Sequence, residues 1–140
     1  MKGRRSATAR GERLAIEKGK LSETTDPVAR TKSYVVISDL LLSFAADAAR
    51  DQAPDDFRGL LDEYIRTIRA ARETIVNAER PTDKRHQGCT ELEVALRRQV
   101  KTLQDLSGKL GGADQEPLNQ AIQAASSIRE EMLTMLSGSE

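Results

Sequence analysis

Histidine, cysteine and aromatic residues are scarce: the 140 residues include one His, one Cys, two Tyr, two Phe and no Trp. A single cysteine excludes a disulfide bond within the chain. A single histidine excludes a di-iron bundle enzyme, which takes a Glu-x-x-His ligand pair from each of two helices. His86 and Cys89 could offer two zinc ligands, but a structural zinc site takes four. We therefore predict no metal and no cofactor.

Phosphate loops and long apolar runs are also missing. Gly108, Gly111 and Gly112 follow a helical pattern, and no Gly-Lys-Ser/Thr sequence occurs, so nothing indicates a nucleotide site. No Ser/His/Asp arrangement points to nucleophilic catalysis. The longest apolar-rich stretch, residues 34–46, is shorter than the roughly 20 residues of a membrane span. No apolar segment of a signal peptide follows the basic start. These features predict a cytoplasmic protein that is not an enzyme and has no membrane span.

The charges balance over the whole chain but not along it. There are 22 basic and 22 acidic residues, and residues 1–20 hold seven of the basic ones and only two acidic ones. The candidate surface arm consists of Lys2, Arg4, Arg5 and Arg10. It could contact nucleic acid or an anionic surface, but it carries no aromatic residue for base stacking. We therefore predict a basic, mobile or loosely docked segment over residues 1–22 and consider nucleic acid unfavoured as a partner.

What the sequence does contain is helical periodicity. Apolar residues recur at steps of three and four in each of four stretches, which is the spacing of one buried helix face. In the last stretch they are Leu118, Ala121, Ile122, Ala125, Ile128, Met132, Met135 and Leu136. The pattern predicts helices over about 26–50, 54–79, 90–110 and 115–137. At this length one domain is expected, and we predict an all-α, mostly antiparallel four-helix bundle over residues 23–140.

Local signals set the expected helix ends. Asp26 is a good N-cap, followed by a proline in the first turn. The polar residues 80–89 predict a loop, and Thr90 to Glu93 have the pattern of a capping box. Cys89 would then precede the helix and pack on Val94 as a hydrophobic staple. Gly111 and Gly112 are typical of a helix end.

One short fragment resembles the first helix of a tetratricopeptide repeat. The pattern is Phe57-x-x-Leu60-Leu61-x-x-Tyr64, where that family has Trp-x-x-Leu-Gly-x-x-Tyr. It departs at the glycine, and no second copy follows one period of about 34 residues later. An ordinary helical hairpin is therefore the favoured interpretation.

Three polar residues lie near apolar helix faces. Asp39 falls on a stripe opposite the core face of its helix, which predicts a solvent-side position. Arg129 lies within the apolar sector of the last helix, so it either extends its charged end into water or provides the anion contact of a pocket. Gln99 lies on the core side of its helix and could meet Arg129.

These observations favour a protein-protein interaction or structural module with a protein partner. The apolar stripe over residues 34–48 is wide enough for more than one neighbour, and an exposed apolar surface of this kind marks an interface. A homodimer is expected if residues 1–22 do not cover that stripe. The alternative is a small-molecule or anion-binding bundle that uses Arg129 and Gln99, and a third hypothesis is nucleic-acid or anionic-surface contact through the arm.

Overall fold

The computed structural model describes residues 2–78 and 82–138, apart from the side chains of residues 2–7, 82, 83 and 113. The described residues form helices and no strand, which confirms the all-α prediction. The helices are α1 (Lys2–Glu23), α2 (Pro27–Arg50), α3 (Pro54–Val76), α4 (Thr82–Lys109) and α5 (Gln115–Leu136), with a short 3-10 turn at Gly112–Asp114.

Two helix ends follow the local chemistry of the sequence. The Asp26 carboxylate accepts a 2.9 Å hydrogen bond from the backbone N–H of Ala29, so it caps α2 as predicted. Gly112 follows α4 with a φ of 64°, a left-handed conformation that glycine adopts without steric cost.

Helices α2 to α5 form a bundle of two hairpins. Helix α2 packs on α3 and α4 packs on α5, while α2 also lies beside α4 and α3 beside α5. Asp26, just before α2, pairs with Lys84 near the start of α4, and Asp39 pairs with Arg98 further along both helices. Helices α2 and α4 therefore run parallel. The helices within each hairpin are antiparallel, and α3 and α4 lie at diagonally opposite corners of the bundle.

The core of the bundle is aliphatic with two large aromatic residues at its centre. Some large aliphatic residues of the predicted stripes pack partly exposed at its edge, while Phe57 and Tyr64 are fully buried together with most of the leucine, isoleucine and methionine residues of those stripes. The largest of these are Leu41, Leu61, Ile68, Ile75, Leu92, Leu96, Leu103, Leu118 and Met132. The predicted core faces are therefore the observed ones.

Helix α1 covers the remaining apolar face of α2. Leu14 and Leu21 pack against the core. Arg10 lies 4.9 Å from the ring centroid of Phe44 and pairs with Asp47 near the end of α2. The wide stripe on α2 thus has its additional neighbour within the same chain, which removes the premise on which a homodimer was expected.

Helix α1 spans the segment that was predicted to be mobile or loosely docked. It begins at Lys2, so the residues expected to be mobile are part of a regular helix. The sequence reasoning underestimated it because residues 2–11 contain no large apolar residue and their stabilising contact, from Arg10 to α2, is distant in sequence.

The prediction of a loop over residues 80–89 was wrong for residues 82–89, which are helical. Helix α4 begins at Thr82, and α3 ends at Val76 instead of residue 79. Helix α4 extends so far because its first turns pack on the bundle. A Cβ at Gly88 would lie 3.1 Å from Cγ1 of Ile75, so glycine permits a close approach of the two helices.

The capping box and the hydrophobic staple were also wrong, for the same reason. Cys89 lies inside α4, where it is buried with its Sγ 4.0 Å from Sδ of Met135. Val94 is exposed instead of packed on Cys89. Thr90 donates a hydrogen bond to the carbonyl of His86 one turn earlier, so it is a mid-helix residue.

Candidate functional site

Gln99 belongs to a closed hydrogen-bond network inside the bundle. Its side-chain carbonyl accepts a 2.9 Å hydrogen bond from the hydroxyl of Tyr64. Its amide donates to Ser38 Oγ at 2.8 Å and to Asp39 Oδ1 at 2.9 Å. Burial raises the pKa of Tyr64, which keeps the hydroxyl a donor. Both amide hydrogens of Gln99 are therefore committed, and its role is to hold α2, α3 and α4 in register.

Asp39 lies at the edge of this network. Its second oxygen accepts a 2.6 Å hydrogen bond from Arg98, and its side chain is part-exposed. Asp39 is thus part-exposed, in keeping with the predicted solvent-side position, and both of its oxygens join α2 to α4.

Arg129 has a different partner. Its Nε donates a 3.0 Å hydrogen bond to Oε2 of Glu93, so it links α5 to α4. Its side chain is 35% exposed and that of Glu93 only 4%. The structure therefore does not bring Arg129 and Gln99 together, and Arg129 is held by a buried carboxylate instead of extending freely into water.

Glu93 binds a second arginine on its own helix. Arg97 donates from Nη2 to Oε1 at 2.6 Å and from Nε to Oε2 at 3.2 Å. Hydrogen bonding from Arg97, and then from Arg129, lowers the pKa of Glu93 although desolvation opposes it. One buried carboxylate therefore holds two guanidinium groups, and both donate to the same oxygen.

An exposed aliphatic residue lies one helical turn from each arginine of this cluster. Val94 lies one turn before Arg97 on α4, and Leu133 lies one turn after Arg129 on α5. Their exposed fractions are 47% and 40%. Ile16 on α1 is the other large hydrophobic residue that is exposed among those the structure describes. We call Val94, Arg97, Arg129 and Leu133 the α4/α5 surface.

A groove lies between α3 and α5. It measures about 720 Å³ and is lined by Arg66, Arg69 and Arg72 on the α3 side. Arg72 is held by a bidentate pair with Glu131 at 2.7 Å. Asp62, Glu73 and Glu131 balance the three arginines, so the groove has no net charge and favours neither an anion nor a cation.

The predicted arm lies on α1, and the structure describes one of its four side chains. Arg10 donates hydrogen bonds to Ser43 and Asp47 of α2. Lys2, Arg4 and Arg5 lie in the first turns of α1, and their side chains are outside the described ones. Arg10 therefore has an internal structural contact.

The two candidate metal ligands point to no shared site. His86 is exposed on α4, whereas Cys89 is buried against α5. Within residues 2–78 and 82–138, no group of three or more His, Cys, Asp or Glu side chains is placed to hold a metal ion. None of the helices described is both long and apolar enough to cross a membrane.

Comparison with family models, with curated proteins and with solved structures finds no match to this chain. The residues themselves therefore carry the functional argument.

Sequence reasoning missed Glu93 and Arg97. Their spacing of four residues is typical of a helical ion pair and was readable in the sequence. The pairing of Glu93 with Arg129 joins two helices, and no local pattern indicates it.

Proposed function

We propose that this chain is a non-enzymatic interaction module that binds an acidic, partly aliphatic segment of another protein at the α4/α5 surface. The observation that supports the proposal is the pair of arginines anchored on one buried carboxylate, with an exposed aliphatic side chain one helical turn from each. Arginine is enriched in the energetically important part of protein interfaces, and flanking apolar groups exclude water there.

The anchoring matters because of conformational entropy. An exposed arginine ordinarily loses much rotamer freedom when a partner binds. Glu93 already fixes the Nε of both Arg97 and Arg129 in the structure. A partner that meets fixed guanidinium groups has a smaller ordering cost, and preorganisation of this kind strengthens binding.

The charge of the surface supports an acidic partner. Two arginines and one glutamate give the cluster a net charge of +1, while exposed Lys101 on α4 and exposed Glu130 on α5 offset each other. Opposite charge across an interface speeds association and disfavours partners of like charge. Val94 and Leu133 add an apolar contact that a purely ionic partner would leave exposed.

The other hypotheses have weaker support. A small-molecule site that uses Arg129 and Gln99 would need the amide of Gln99, whose hydrogens bind Ser38 and Asp39. Contact with nucleic acid through the arm would compete with the binding of Arg10 to α2. A second copy of this chain is the remaining alternative as the occupant of the α4/α5 surface.

The test is affinity capture with variants matched in chemistry. Val94→Ser with Leu133→Ser removes the aliphatic part of the α4/α5 surface, and Ile16→Ser makes the same kind of change on α1. We expect a protein to be captured by the parent and by Ile16→Ser and lost with the double variant. Retention of every captured protein by a folded double variant would refute the proposal, as would light scattering that shows the occupant to be a second copy.

A further inference from the structure

The Arg97–Glu93–Arg129 cluster contains more positive charge than is needed to neutralise its buried carboxylate. One arginine neutralises Glu93, and Arg97 already contacts both of its oxygens. Arg129 then adds a second positive charge within hydrogen-bond distance of the same carboxylate. The cluster therefore has a residual charge of +1 at a part-exposed position, where an oxyanion from solution can compensate it.

Several guanidinium nitrogens of the cluster donate no hydrogen bond to Glu93. Arg97 uses Nε and Nη2, and Arg129 uses only Nε. The structure gives Nη1 of Arg97 and both Nη atoms of Arg129 no acceptor among the described residues. The side chains are 61% exposed for Arg97 and 35% exposed for Arg129, and neither Nη atom of Arg129 is buried without a partner.

On this basis we infer that Arg97 and Arg129 together form a binding site for a carboxylate group, which lies between the two guanidinium groups opposite Glu93. The inference rests on the proposed function, and it names the chemical group of the partner: the side-chain carboxylate of an aspartate or glutamate in the acidic segment. Glu93 shows how one carboxylate accepts from both arginines at once.

Charge balance favours a carboxylate over a phosphate. A carboxylate brings a charge of −1 and makes the cluster neutral. A phosphate at neutral pH brings about −1.5 to −2 and would leave excess negative charge beside Glu93, whose carboxylate is only 4% exposed. Like charges close together in a poorly solvated site are costly.

The experiment is a titration of the folded protein followed by the Nε–Hε signals of its arginines in nuclear magnetic resonance spectra. The probes are acetate, inorganic phosphate and chloride at the same ionic strength. We expect acetate to shift the signals of Arg97 and Arg129 with saturation, and to leave the signal of Arg58, an exposed arginine on α3, unchanged. Chloride should produce no saturating shift.

Two variants separate a specific site from general attraction. Arg129→Lys keeps the charge but removes the planar fork of donors, so acetate should bind about tenfold more weakly or worse. Arg58→Lys should bind acetate as the parent does. The inference is overturned if acetate does not act on Arg97 and Arg129, if chloride reproduces its effect, if phosphate binds in preference, or if Arg129→Lys binds equally well.

The capture experiment and the acetate titration can fail independently of each other. Loss of partner capture by Val94→Ser with Leu133→Ser, without any acetate binding, would support the interface and refute the carboxylate site. Acetate binding with unchanged capture would support the site and refute the interface.

Discussion

The hydroxyl of Tyr64 donates a 2.9 Å hydrogen bond to the side-chain carbonyl of Gln99, and this contact joins α3 to α4 inside the core. The amide of Gln99 continues the connection to Ser38 on α2. A buried network with every donor and acceptor satisfied fixes one arrangement of helices, whereas a partly satisfied one is costly.

Gln99→Ala should therefore lower the free energy of unfolding by about 2–4 kcal/mol, because it opens a cavity and leaves the buried hydroxyl of Tyr64 without its acceptor. Gln104→Ala, at an exposed position on the same helix, should change it by less than about 0.5 kcal/mol. Urea unfolding of the two variants measures both. Equal stabilities would show that the network contributes nothing.

Arg129→Met should destabilise the fold by about 1–2 kcal/mol. That is less than the roughly 3–5 kcal/mol of a fully buried broken pair, because Arg97 still neutralises Glu93 and Arg129 is 35% exposed. A freely extended arginine would have made the same substitution neutral or stabilising. A double-mutant cycle with Glu93→Gln measures the coupling, and a coupling energy of zero would contradict the ion pair.

Acid should weaken the fold through Glu93. Its pKa lies below the ordinary value of 4.5, first because of the hydrogen bond from Arg97, so the folded state binds fewer protons than the unfolded state in this range. The stabilisation is complete above pH 4.5 and is lost as the pH falls through the folded-state pKa.

Glu93→Gln should therefore reduce the decrease of unfolding free energy with falling pH in that range. The dependence should not vanish, because a hydrogen bond from Arg72 lowers the pKa of Glu131 in the same direction. Urea unfolding at a series of acidic pH values checks this, and an identical pH dependence in the variant and the parent would exclude the role of Glu93.

Gly88→Ala should destabilise the fold by about 1 kcal/mol even though alanine is the better helix former. The new Cβ would lie 3.1 Å from Cγ1 of the buried Ile75. Gly108→Ala is the matched control on α4, where a Cβ meets open space, and it should stabilise the fold by about 0.5–1 kcal/mol. Thermal unfolding of both variants decides the matter. A stabilising Gly88→Ala would show that α3 and α4 do not pack closely there.

The sequence predicted most of the fold because each helix signals its own buried face. Phe57, Tyr64 and Leu103 all lie in the core, as their spacing indicates. It failed where the cause of a local structure lies elsewhere in the chain. Residues 80–89 were predicted to form a loop because they are polar, and the packing of Ile75 close to Gly88 on α4 has no signal in the local sequence.

The candidate site was predictable in part. Arg129 was recognisable as a charged residue on an apolar face. Its partner Glu93 was assigned to a helix cap, because a Thr-x-x-Glu pattern describes a cap and a mid-helix turn equally well. Only the packing of α4 on α5 identifies the pair.

Site-specific photo-crosslinking tests the central claim, binding of a partner at the α4/α5 surface, most directly. A photoreactive side chain replaces Val94, Leu133 or, as the control, Ile16, which are the three large hydrophobic residues exposed among residues 2–78 and 82–138. The account predicts that positions 94 and 133 crosslink to the same protein, at an acidic segment identified by mass spectrometry, and that position 16 does not. No adduct at positions 94 and 133, or an equal adduct at position 16, would contradict it.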